Sequence, residues 1–199
     1  MKALFAAILA GVGCLLMSAR WARAGAECPA VVKGGDAFVV ERGEQSKTEV
    51  TFGAGAVISA VTRFRGQPLL ELRQYEGLIP LERIDRGHRT VFKPDGDLAK
   101  LFPLKPKQQI EVRLDAEEDA STTPVAVDLK MIGTDSLAIG ACQYDVLKFE
   151  MTETWAGRKA DPIVEYYSPG LKFVIAKEYP ERNGPPTLIK YDQIRPTSH

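Results

Sequence analysis

The sequence predicts an all-β fold, an antiparallel meander forming a curved sheet, half-barrel or barrel with at most one short helix. Two observations carry that expectation: turn signals recur at short intervals, and the runs between them alternate with period two. Turns are expected at Arg42-Gly43, Gly53-Ala-Gly55, Arg65-Gly66, Glu76-Gly77, Arg86-Gly87, Pro94-Asp-Gly-Asp97, Gly133-Thr-Asp135, Ala156-Gly157, Ser168-Pro-Gly170 and Asn183-Gly-Pro-Pro186. Between them lie short runs rich in Val, Ile, Leu, Phe, Tyr and Thr, the composition of hairpin strands. In Gln109-Ile-Glu-Val-Arg-Leu114 the apolar residues Ile110, Val112 and Leu114 share one face, and Ala126 to Met131 repeats the pattern. A sheet with one face on a core and one in water needs that alternation.

Taking the elements in order, the N-terminus is a secretion signal. Lys2 precedes an uncharged run from Ala3 to Met17, too short for the roughly 20 residues that span a bilayer. Small residues follow, and a signal peptidase accepts them at −3 and −1 in two frames, Ala22-Arg23-Ala24 and Ala24-Gly25-Ala26. The second lies farther from the apolar run and leaves a polar start at Glu27. Residues 1–26 are therefore expected to be cleaved and 27–199 to form a single β-rich domain. Cys14 is a poor lipidation site, because Gly11 stands three before it and Leu15-Leu16-Met17 continue the apolar run. A retained N-terminal anchor helix is the alternative to cleavage.

Removing Lys2, Arg20 and Arg23 leaves 23 basic against 26 acidic side chains, a net charge of −3. Nothing in that charge suggests nucleic acid as a partner. No further apolar run approaches membrane length, so no transmembrane segment is expected after signal removal. About 173 residues suit one domain with a proper core. The expected location is periplasmic or secreted.

Two cysteines remain, Cys28 and Cys142, and a pair in an oxidising space is expected to form a disulfide. Two unpaired buried thiols are the alternative. Redox activity normally uses Cys-x-x-Cys spacing, which is absent.

One helical piece is expected. Leu98 to Phe102 can make one or two turns capped by Asp97, with Pro103 as the stop. Asp115 to Pro124 reads as a solvated hairpin tip; its four acids lack the alternating ligands and glycine of a calcium loop. The last third should be a four-stranded meander over Cys142–Trp155, Pro162–Tyr167, Leu171–Tyr179 and Thr187–Ile194. Its Tyr144, Val146, Phe149, Tyr166, Tyr167, Phe173 and Ile175 are suited to cross-strand packing.

Residues 101–194 carry Pro103-Leu104, Ile132-Gly133, Gly140-Ala-Cys142 with Tyr144 and Val146, and Tyr167-Ser-Pro169 with Leu171 and Ile175. In this the chain resembles uncharacterised exported bacterial domains with a loose pattern: Pro-Leu-x-x-Gly-x-x-Trp, Gly-x-Glu-x-Val, Gly-x-Phe-x-Tyr/Phe-x-Val and Tyr-x-Pro-x-Leu-x-x-x-Val. Lys107, Ile110 and Cys142 depart from it, standing where the pattern has glycine, tryptophan and an aromatic. The resemblance implies a curved antiparallel sheet or open half-barrel, near lipoprotein-carrier architecture in some members, and implies no activity.

Chemistry is sparse. His88 lies in an expected turn and His199 is the last residue, so a nucleophile has no obvious base. There is no Gly-x-Ser-x-Gly elbow, no His-Glu-x-x-His and no set of four Cys or His ligands for zinc. Gly53-Ala-Gly55 lacks the third glycine and following helix of a phosphate cradle. Glu150, Glu153 and Glu165 could supply a carboxylate pair facing across strands, with Trp155, Tyr166 and Tyr167 to stack a sugar; solvated glutamates and core aromatics explain them more simply. No catalytic, cofactor-binding or metal residue is therefore expected, and no cofactor. The expected function is non-enzymatic binding of a lipid or other apolar small molecule in a curved β-sheet. An interaction or scaffolding module for an envelope protein is the alternative, and a carboxylate-based envelope hydrolase ranks behind both.

Overall fold

The computed structural model describes residues 28–105 and 107–197. The expected signal segment, Cys14 and His199 lie outside the described residues. Strands follow one another as β1 (Ala37–Arg42), β2 (Ser46–Phe52), β3 (Val57–Phe64), β4 (Gln67–Tyr75), β5 (Ile79–Asp85) and β6 (His88–Pro94). After a 3-10 turn (Leu98–Leu101) come β7 (Gln109–Glu118), β8 (Ser121–Ile139), β9 (Cys142–Trp155) and β10 (Arg158–Lys159). The chain ends with β11 (Ile163–Ser168), β12 (Phe173–Tyr179), β13 (Thr187–Lys190) and β14 (Gln193–Pro196). All of these strands pair antiparallel, and sequence neighbours are space neighbours from β1 to β9; β11, β12 and β13 then follow, with β10 a short pairing on β9.

The turns explain the meander. Arg65-Gly66, Arg86-Gly87 and Ala156-Gly157 each hold two consecutive residues at positive φ, in two-residue loops closed by Phe64↔Gln67, Asp85↔His88 and Trp155↔Arg158. That backbone twists in the same sense as the strands and folds them back tightly. The expected Asp97 cap is present: its Oδ1 accepts from the Ala99 amide at 3.0 Å, and the helical piece stops before Pro103.

Three expected segments differ. Gly133 to Asp135 is no turn: the ladder shifts register between Met131 and Gly133, so Ile132 bulges, 45% exposed, and β8 runs on to Ile139. A bulge absorbs one extra residue without ending the strand. Asp115 to Pro124 belongs mostly to β7 and β8, and only Asp119 and Ala120 form the tip. Buried Ala116 between outward Asp115 and Glu117 continues the alternation, and Pro124, which has no N–H to donate, stands just past the last β8–β9 pair, Val125↔Trp155, its carbonyl accepting from the Ala156 amide at 2.9 Å. Thr187 to Ile194 is two strands, not one.

That break decides the architecture. β13 pairs with β12 at one end of the sheet, whereas β14 pairs with β1 at the other. Tyr191 and Asp192 carry the chain across, donating amide hydrogen bonds to Ile175 O (3.4 Å) and Glu41 O (2.8 Å). The sheet is curved, and its ladder is not closed into a barrel.

Two apolar cores result. One joins Phe38, Val40, Val50, Phe52 and Ile58 to Tyr144, Val146, Leu171, Phe173 and Ile194. The other joins Ile79, Phe92, Leu98 and the inward residues of β7 and β8 to Phe149 and Tyr167. On β9, Cys142, Tyr144 and Val146 face the first core, while Leu147, Phe149 and Met151 face the second. Side chains of opposite parity leave opposite faces of a strand, so the covered face of β9 changes along its length, and Gln143 and Asp145 are exposed opposite the first core. The one-sided sheet expected from the alternation holds for β7, whose residues alternate exposed and buried.

Cys28 and Cys142 are joined by a disulfide, with Cα atoms 5.7 Å apart. The bond pins the N-terminal segment beside the β8–β9 turn, and the Val32 amide donates to Gly170 O at 3.1 Å.

Candidate functional site

Hairpin tips of a meander alternate between its two ends, and three connections at one end build a cavity. The first is the β4–β5 turn, Glu76-Gly77-Leu78, with Glu76 at φ 49° and Gly77 at φ 70°. Glycine is required at 77, because a Cβ there would collide with the Lys172 carbonyl of the β11–β12 turn. The two turns therefore sit back to back. Their side chains meet in an ion pair, Lys172 Nζ lying 2.9 Å from Glu76 Oε2 and 3.1 Å from Oε1.

The third connection runs from β6 to β7. Its Phe102 ring packs on Tyr75 at 5.4 Å between centroids, and Ala99, Pro103 and Leu104 complete that wall. β9 contributes Leu147 and Phe149, and β11 contributes Tyr167, whose ring meets Phe149 edge-on at 6.1 Å. Together they enclose about 360 Å³. Most of the lining is hydrocarbon or aromatic, and the Glu76–Lys172 pair and the Tyr167 phenol are its convergent polar groups. Burial, with the Glu76 charge second, pushes the Tyr167 phenol far above the ordinary tyrosine value. It stays a neutral donor, and it has no hydrogen-bond partner among the described residues. A small, mostly apolar cavity with a few placed polar groups is the usual form of a ligand site.

The sequence-derived candidates fall elsewhere, Tyr167 excepted. Across the β9–β11 ladder Glu150 stands opposite Val164, and Glu165 opposite Phe149, so the two carboxylates point to opposite faces. Glu150 lies 3.9 Å from Lys130 Nζ; Glu153 accepts from the Trp155 indole N–H at 2.8 Å. Glu165 is buried and bound to Lys177 Nζ at 2.7 Å. Each glutamate is occupied with its own neighbour, and no pair flanks a cleft. Trp155 packs edge-on against Phe92, and Tyr166 donates to Glu178 at 2.9 Å with the Lys148 ammonium over its ring. His88 is exposed and closes the Arg86-Gly87 turn. Glu76 and Lys172 escaped the sequence reading, which had only the Glu76-Gly77 turn signal; residues 96 apart show no sign of meeting.

No protein-family model and no curated protein matches the chain. Among solved structures it is similar to a hypothetical lipoprotein, YmcC, from Escherichia coli K12, at 10% identity and a TM-score of 0.48, over 79% of this chain and 84% of that one. It is also similar to a putative exported protein with a YmcC-like fold from Bacteroides fragilis, at 10% identity and a TM-score of 0.41, over 84% of this chain and 100% of that one.

Proposed function

We propose that this chain is an exported binding protein, released by cleavage after Ala26, that holds one lipid-class amphiphile in the cavity beneath the Glu76–Lys172 pair. The observation that carries the reading is the composition of that cavity. Its apolar walls suit an acyl or similar hydrocarbon body, and the unpartnered Tyr167 phenol and the rim ion pair suit one polar group. A volume of about 360 Å³ is at the lower end for small-molecule sites, which favours a single chain over a whole phospholipid.

Native mass spectrometry of protein exported by a bacterial host tests this, followed by denaturing mass under non-reducing conditions. The expected result is a polypeptide starting at Glu27 that carries extra mass lost on denaturation. Exposed Ala99 lines the mouth, so Ala99→Trp should expel the bound mass and abolish binding of an apolar dye while leaving the fold intact. An empty wild-type protein with no dye binding would overturn the carrier reading.

One observation favours a second reading. The edge strand β13 is exposed along its whole length and presents Leu188 and Ile189 to solvent. Unpaired strand edges accept a strand from a partner, so an envelope protein could add there. Cross-linking in cells from a position on β13 should then give one reproducible adduct; scattered products would count against it.

A further inference from the structure

The opposite end of the sheet holds a second cavity of different chemistry. Register on β1–β4 sets side chains in rows across one face. Phe38, Val50, Ala60 and Leu72 make one row, and Val40, Thr48, Thr62 and Leu70 the next. Arg42, Ser46 and Phe64 make the row nearest the tips. From row to row, hydrocarbon gives way to hydroxyl and then to a guanidinium. Against the polar rows stand Lys177 and Tyr179 of β12 and Tyr191 of the crossing segment, enclosing about 280 Å³.

These polar groups are more than a wet rim. Thr48 is 3% exposed and shares a hydrogen bond with Thr62 at 2.9 Å. Cations line the cavity and carboxylates do not. Lys177 is held from behind by buried Glu165 at 2.7 Å; Lys190 spends its ammonium on Ala138 O at 2.9 Å. Arg42 has no ion-pair partner among the described residues. Burial would lower the Lys177 ammonium, but the Glu165 carboxylate outweighs it and holds the pKa above the ordinary lysine value. Burial likewise raises the Tyr191 phenol, against the pull of Lys177 and Thr48, so it stays a donor. The two acids nearest the cavity are engaged, Glu165 by Lys177 and Asp192 by the Gly43 amide at 2.6 Å, so donors around the unpaired Arg42 guanidinium are complementary to an oxyanion.

We propose that this cavity binds an oxyanion carried on a polyol, a phosphate ester in the first instance, with Arg42 taking the oxyanion and the Ser46, Tyr179 and Tyr191 hydroxyls taking the polyol. The site is independent of the apolar cavity at the other end. The same chemistry occurs in a soluble sugar phosphate and in a phosphoglycerol lipid headgroup.

Amide spectra titrated with glycerol 3-phosphate test it, with glycerol as the neutral control. Saturable shifts are expected at Arg42, Thr48, Lys177 and Tyr191 with glycerol 3-phosphate and none with glycerol. Arg42 is exposed and unpaired, so Arg42→Gln should fold normally and weaken binding about tenfold, the loss of one charge-assisted contact. Arg42→Lys, which keeps charge without the fork, should weaken it less. Ala99→Trp, at the other cavity, should leave the titration unchanged. Vesicles of phosphatidylcholine with phosphatidylglycerol then separate the sources: Arg42-dependent co-sedimentation assigns the lipid headgroup, and glycerol 3-phosphate binding without co-sedimentation assigns the soluble ester. Absence of saturable shifts, or shifts that survive Arg42→Gln, would overturn the proposal.

Discussion

Glu82 shows how single residues hold the outer surface together. Its carboxylate accepts from Arg89 and from Arg73, the latter at 3.2 Å, and is only 13% exposed. The Arg89 hydrogen bond outweighs burial, and with Arg73 it holds the carboxyl below the ordinary glutamate value. A carboxyl with a depressed folded-state pKa stabilises above its unfolded value, and that contribution is lost as pH falls through the folded one. Denaturant melts should therefore weaken as pH drops through and below the ordinary glutamate range. Glu82→Gln should flatten that acid limb; an unchanged limb would place the titration elsewhere. None of this was readable in advance, because Glu82 meets its arginines only through the β4–β5 and β5–β6 registers. The same limit explains Glu165. Its charge in a Val-Glu-Tyr-Tyr run reads as solvent-facing, and only Lys177 across the ladder makes its burial tolerable.

At the scale of elements the sequence was far more legible, because local chemistry decides there. Turn glycines placed hairpins at Arg65-Gly66, Arg86-Gly87 and Ala156-Gly157, and Cys142–Trp155 has the expected bounds. Misreadings came where local signals compete: Gly133 can mark a turn or a bulge, and an acidic run can be a loop or the outer row of a strand. The turns make a prediction of their own. Arg86 sits at φ 50°, a left-handed conformation that asparagine adopts more readily. Arg86→Asn should therefore raise stability by about 0.5 kcal/mol, read as an upward shift of the denaturation midpoint. A loss of stability would mean that the Arg86 side chain makes a contact outweighing the backbone gain.

Over the whole molecule, long-range links decide, and these were read unevenly. The cysteine pair was visible as a parity argument, whereas the crossing of Tyr191–Asp192 from one sheet end to the other had no local signal. The Cys28–Cys142 bond closes a separation of 114 residues, for which chain-entropy reasoning gives about 4–5 kcal/mol. Cys28→Ser and Cys142→Ser should each lower stability by about 2–5 kcal/mol, and the double variant by little more than either. Simple addition of the two losses in chemical denaturation would mean that strain or side-chain packing, not the bond, dominates each.

The strand exchange at the C-terminus also sets a timetable. β14 pairs residues 193–196 with residues 38–41, almost the full length of the chain away. The outermost pairing at that end of the sheet cannot form until residues 193–196 have been synthesised. Loop closure over such a distance is slow, since its entropy is lost before any contact rewards it. A chain of this design stays without its final ladder until residues 193–196 are available, and locks only when they meet β1.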